Sequence, residues 1–177
     1  MYRIDTLLKQ KNRLFHTQDL ALLWNIQNEN TLYTLIKRYI QKGVLIPVQK
    51  GLYSTVALDQ IDPLTLGEVI LHRYCYISCE YVLVRAGVIF QTETAITFVS
   101  SVSRKFSVAD SRFLVRTLAD PFLFNDIGLE NHRDMRIASP ERAAADLLYF
   151  NRRYHFDNPK RLDWTNVKNI QKKVGYA

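Results

Sequence analysis

Leu32, Leu35, Ile36, Tyr39 and Ile40 stand at i, i+3, i+4, i+7 and i+8, the spacing that lines one face of an α-helix. No other run in the chain is so regular, and a helix with this stripe must bury it against something. Gly43 stands where a helix exit favours a residue tolerant of positive φ. Two short β-prone runs follow, Val44-Leu45-Ile46 and Leu52-Tyr53-Ser54-Thr55, with the turn residues Gln49-Lys50-Gly51 between them. Upstream, Ile4, Leu7 and Leu8 mark a short amphipathic helix over residues 2–10. Thr17 is a good N-cap for a second helix that carries Leu20, Leu23 and Trp24 on one face. Asn25-Ile26-Gln27-Asn28 interrupts the pattern as a turn. Three helices and then a β-hairpin, all within residues 1–57, is the order of a winged helix-turn-helix.

A linker with Asp59, Asp62 and Pro63 opens a second unit, expected over residues 62–177. Leu66, Val69, Ile70 and Tyr74 predict a helix from Pro63. Tyr76-Ile77-Ser78 reads as a short strand, with Ser78 capping a helix over 79–86 that ends near Gly87. Ala95–Val99 is a strongly β-prone strand, and Phe106–Val108 and Phe113–Leu118 are weaker ones. Ser139-Pro140-Glu141 carries an N-cap, a first-turn proline and a first-turn acid, so a helix runs on through Ala143 to Phe150. A last helix is expected over Thr165–Lys173. The fold class is therefore α/β in the α+β sense: a winged helix-turn-helix followed by a mixed α/β domain. The chain has 177 residues, of which 47% are hydrophobic, enough for two small cores.

The formal net charge of +7 favours an anionic partner, and its distribution says more than its total. Residues 1–57 hold eight Lys/Arg against three acids, residues 58–150 nine against twelve, and residues 151–177 seven against two. With the apolar stripe of the third helix turned inward, its other side presents Thr31, Thr34, Lys37, Arg38 and Gln41. Lys and Arg neutralise phosphates or read guanine, and Thr and Gln bond phosphates or base edges. An ordinary solvated helix face would also carry two cations; position as the third helix of a winged module tilts the reading to DNA. Lys50 at the wing tip can touch the backbone or the minor groove, though a turn lysine is also commonplace, and Lys9, Lys11 and Arg13 can add phosphate contacts.

Signals for catalysis are missing from the sequence. His16, His72, His132 and His155 are scattered, with no metal-binding pair among them. There is no glycine-rich phosphate loop or nucleophile elbow, and Asp110, Asp120 and Asp126 are dispersed. Cys75 and Cys79 read as buried free thiols; a zinc site would want two more ligands, and His72 alone does not complete one. Arg142 and Asp146, at i and i+4, are expected to form an ion pair. The expectation is no enzyme, no catalytic residue, no metal and no cofactor. Met1-Tyr2-Arg3-Ile4-Asp5 reads as no secretory signal, and no apolar run is long enough for a bilayer, so a cytoplasmic chain with no membrane partner is expected.

Several of these segments together resemble the AbiEi antitoxins. They are Phe15-His16-Thr17-Gln18-Asp19-Leu20, Leu35-Ile36-Lys37-Arg38, Gly43-Val44-Leu45-Ile46 and Lys50-Gly51-Leu52-Tyr53 in the first unit. In the second they are Ile77-Ser78-Cys79-Glu80, Ala86-Gly87-Val88-Ile89, Ile96-Thr97-Phe98-Val99, and Ala138-Ser139-Pro140-Glu141-Arg142-Ala143 followed by Asp146-Leu147-Leu148. The resemblance runs over most of residues 14–150; residues 151–177 fall outside it. It implies the antitoxin half of a type IV toxin–antitoxin or abortive-infection pair. The winged domain would bind the promoter of its own operon and repress transcription. The second domain would counteract a nucleotidyltransferase-like toxin without forming a stable complex with it. The basic tail, with Lys168, Lys172 and Lys173, is a candidate partner-binding segment. Two other classes stay open: a winged-helix regulator whose second domain binds a small effector, and an accessory to an enzyme or nuclease. An apolar pocket with convergent polar groups would favour the former, and clustered carboxylates holding a metal the latter.

Overall fold

The computed structural model describes residues 3–91, 95–132 and 135–176, and the chain is mixed α/β. It divides into two compact units, Met1–Ile70 and Leu71–Ala177. No helix among the described residues is long and apolar enough to cross a membrane.

The first unit runs α1 (Arg3–Leu8), β1 (Leu14–His16), α2 (Thr17–Trp24), α3 (Glu29–Gln41), β2 (Ile46–Gln49), β3 (Leu52–Ser54) and α4 (Pro63–Leu71). Its core is the apolar stripes of the helices closed by the sheet: Leu7, Phe15, Leu20, Trp24, Ile26, Leu32, Ile36, Tyr39, Leu45 and Tyr53 are buried together. Trp24 meets Tyr39 edge-to-face at 5.3 Å between centroids. Leu8 is the exception to the expected stripe, because α1 ends there after six residues and leaves the side chain 52% exposed.

Helix α2 starts at Thr17, but its N-cap is His16, whose backbone N–H donates to the Asp19 carboxylate at 2.7 Å. Thr17 serves elsewhere. Its N–H donates to the Gly51 carbonyl at 2.9 Å and its hydroxyl to the same oxygen at 3.3 Å, which ties the start of α2 to the β2–β3 turn. At the other end Asn25 takes the left-handed conformation (φ 50°) that closes α2 before the turn into α3.

The three strands form one antiparallel sheet in the order β1-β3-β2. Strand β1 has no counterpart in the sequence reading. The other difference is the start of the hairpin. Val44 and Leu45 were expected in the first strand, yet their N–H groups bond back to the Tyr39 carbonyl at 2.9 and 3.2 Å, completing the exit of α3 after Gly43 (φ +69°). The strand therefore begins at Ile46. Pro47 is accommodated because β2 lies on the sheet edge, and the register slips between Pro47 and Gln49. Helix α4 is joined to this unit by the His16 ring, whose Nε2 lies 3.1 Å from the Val69 carbonyl oxygen.

The second unit contains β4 (Cys75–Ile77), α5 (Cys79–Arg85), β5 (Ile96–Ser100), β6 (Arg104–Val108), β7 (Ser111–Thr117), α6 (Asp120–Leu123), β8 (Leu129–His132), β9 (Met135–Ala138), α7 (Pro140–Phe150) and α8 (Trp164–Val174). Its six-stranded sheet has the order β6-β7-β5-β4-β9-β8, with β4–β9 and β5–β7 parallel and the other pairs antiparallel. Helix α7 packs on α5 and α8, and Ala143, Ala144 and Ala145 are fully buried, small enough to admit close neighbours. Arg116 on β7 pairs with Glu80 of α5 and lies over the Phe150 ring at 5.3 Å.

Candidate functional site

Helix α3 is capped by Asn28, whose side-chain oxygen accepts from the Thr31 N–H at 3.0 Å. With Leu32, Ile36 and Tyr39 buried, the residues Thr31, Thr34, Lys37, Arg38 and Gln41 are all exposed. Lys50 is exposed too, in the turn between β2 and β3 that Gly51 permits with φ +78°. Lys9, Lys11 and Arg13 lie exposed between α1 and β1.

The structure splits this set. Thr31, Thr34 and Arg38 line an open groove of about 320 Å³ together with Arg3, Asn30 and Leu35. Lys37 and Gln41 are exposed on the same helix outside that lining, and Lys50 is not part of it either. Both threonine hydroxyls are already donating: Thr34 to the Asn30 carbonyl at 2.7 Å, and Thr31 to the Asn28 side-chain oxygen at 3.2 Å. They offer the groove oxygen lone pairs and methyl groups, so the guanidinium groups of Arg3 and Arg38 are its cationic donors. Arg3 escaped the sequence reading. Only the fold reveals it, through the buried Trp24, whose indole N–H donates to the Arg3 carbonyl at 3.1 Å and pins the start of α1.

In the second unit Lys168, Lys172 and Lys173 are exposed on α8. Lys172 and Lys173 occupy its last turn, where cations complement the helix dipole. A second open groove, of about 440 Å³, runs beside the edge strand β6 and is lined by Ala95, Lys105, Phe106, Ser107, Arg112, Phe113 and Leu114.

The expected Arg142–Asp146 ion pair forms at 2.9 Å, and both side chains are completely buried. All five guanidinium N–H groups find acceptors. Nε serves Asp146, one terminal nitrogen serves the carbonyls of Asn125 (3.0 Å) and Ile127 (2.8 Å), and the other serves the Tyr76 hydroxyl (3.0 Å) and the Phe122 carbonyl (3.3 Å). Asp146 also accepts from Ser78 at 2.7 Å and Tyr176 at 2.6 Å. Ser78, at the N-cap position of α5, spends its hydroxyl here rather than on the helix, contrary to the capping expected of it. Burial pushes the Asp146 carboxyl up from its ordinary value, against the opposite pull of Arg142 and of the Tyr176 and Ser78 hydroxyls. Burial, reinforced by Asp146, raises the Cys79 thiol, which stays protonated and unreactive. Every strong donor and acceptor of Arg142 and Asp146 is used, so this centre holds the end of α6, the segment 124–127 and Tyr176 in place. Among the described residues, no three His, Cys, Asp or Glu side chains gather where they could hold a metal ion.

Compared with known proteins, the sequence matches no family model, and no curated protein gives a significant match.

Proposed function

We propose that the first unit is a winged helix-turn-helix that binds the promoter of its own operon, and that the chain acts in the cytoplasm as a non-catalytic transcriptional autorepressor and antitoxin. The observation that carries the DNA reading is the exposed polar face of α3. It follows a four-residue turn after α2 and precedes a hairpin with Lys50 at its turn. The surplus of five positive charges in residues 1–57 supplies the attraction to phosphate. The antitoxin part rests on the resemblance of residues 14–150 to the AbiEi antitoxins, with a nucleotidyltransferase-like toxin as functional partner.

Replacing Lys37 and Arg38 together with Ala is expected to weaken binding to the upstream promoter fragment about a hundredfold, the sum of two contacts of ~1.4 kcal/mol each. Both side chains are exposed, so the circular dichroism spectrum stays native. A gel shift with unchanged affinity and a native spectrum defeats the DNA reading.

A second reading, a regulator whose second unit binds a small effector, is favoured by the groove beside β6. Phe106, Phe113 and Leu114 offer apolar contact, and Lys105 and Arg112 sit beside them as cations. An aromatic carboxylate has the matching chemistry. At a hundred times its Kd such a ligand stabilises the fold by about 2.7 kcal/mol. A thermal-shift screen of aromatic carboxylates would then show a rise in Tm that Lys105→Ala abolishes; no rise with any of them removes this reading.

A further inference from the structure

We infer that the groove between the start of α1 and α3 clamps one backbone phosphate of bound DNA, with Arg3 and Arg38 as its two cationic arms. The inference rests on the DNA reading above and divides its residues into two jobs. Arg38 and Arg3, from elements far apart in sequence, line one groove, and two cationic side chains sharing a groove favour an anion there. Arg3 is held there by its backbone, since the Trp24 indole fixes its carbonyl and Trp24 itself is locked against Tyr39 in the core. The groove is open, as a ligand that continues beyond it on both sides requires. Leu35 contributes an apolar patch to the lining.

The choice of anion follows from the donors. Thr31 and Thr34 have committed their protons to Asn28 and Asn30, which leaves guanidinium N–H groups, with their fork geometry, as the groove's strong donors. Such a pair suits a phosphodiester, which offers two unesterified oxygens and a single charge. With Arg38 engaged by the backbone, base reading falls to Lys37 and Gln41, which lie outside the groove. A phosphate contact adds affinity irrespective of sequence, whereas a base contact adds discrimination.

The test uses the full-length chain, its upstream promoter fragment and a scrambled duplex of equal length, with affinities measured over a range of salt. Arg3→Ala is expected to weaken binding to both duplexes about tenfold and to lower the slope of log Kd against log salt by about one. Arg38→Ala should behave the same way. Lys37→Ala and Gln41→Ala should instead narrow the gap between promoter and scrambled duplex. If the wild-type chain binds the promoter and Lys37→Ala weakens it while Arg3→Ala changes neither affinity nor salt slope, the clamp is wrong and the DNA reading stands. A wild-type chain that binds neither duplex overturns both. Inorganic phosphate titrated into the free protein separates a free-anion site from a backbone clamp. Saturation at micromolar phosphate, lost in Arg3→Ala without any change in DNA affinity, would overturn the clamp in favour of a free-anion site.

Discussion

Asp146→Ala is expected to destabilise the second unit by about 3–5 kcal/mol, the cost of leaving a buried charge without its partner. Arg142 has no exposed surface and cannot shed its proton, so the guanidinium would stay charged in a site that no longer balances it. A domain of ordinary stability, about 5–15 kcal/mol, would lose a large part of its margin. The measurement is thermal or urea unfolding of the purified variant beside wild type. Arg142→Lys should cost nearly as much, because a single ammonium cannot reach Asp146, Tyr76 and the three carbonyls of Phe122, Asn125 and Ile127 at once. Tyr176→Phe, which removes one hydroxyl from Asp146 and leaves the ion pair in place, should cost less, about 1.5–3 kcal/mol. If Asp146→Ala unfolds at the wild-type midpoint, the network is not what holds the end of α6 and the segment 124–127. Gly128 belongs to the same argument: a Cβ there would stand 2.8 Å from the Cβ of Arg142, at a backbone φ of +73°.

Helices with long apolar stripes and clear caps were legible in the sequence. The stripe from Leu32 to Ile40 and the Ser139 cap of α7 announce themselves within one or two turns, and α8 follows the helix expected over Thr165–Lys173, although its Asp163 cap was not read from the sequence. Strands β8 and β9 were not legible, because Leu129-Glu130-Asn131-His132 on the sheet edge has no alternation and Met135–Ala138 reads as a run-up to α7. β1 and α6 are three and four residues long, too short for a periodic pattern to repeat. The polar face of α3 followed from its apolar face by subtraction. Arg3 did not follow from anything local, since its place depends on a tryptophan twenty-one positions away. Arg142 and Asp146 were visible as a pair but not as the centre of a network, whose other members come from β4, α6, the segment 125–127, the residue before α5 and Tyr176.

Full-length variants of the two basic regions are expected to separate repression from protection. Lys37→Ala with Arg38→Ala should release the promoter, through the hundredfold loss of affinity, and leave cells protected from the cognate toxin. Neutralising Lys168, Lys172 and Lys173 should do the reverse, lowering survival under toxin induction by at least about tenfold while repression holds, the loss of one or two charge contacts. The charge map is the reason. Residues 58–150 carry nine cations against twelve acids, so phosphate attraction concentrates in residues 1–57 and in the tail. Neutral replacements in the last turn of α8 forfeit only the dipole complement, about 0.3–1 kcal/mol apiece, and all three lysines are exposed, so the fold survives and a melting curve verifies it. Survival and reporter repression, measured in the same strains, give each variant two readouts. If the tail variant loses promoter binding and keeps protection, the tail is a DNA arm. If the α3 variant loses both, protection depends on repression, and the antitoxin activity does not reside in the second unit.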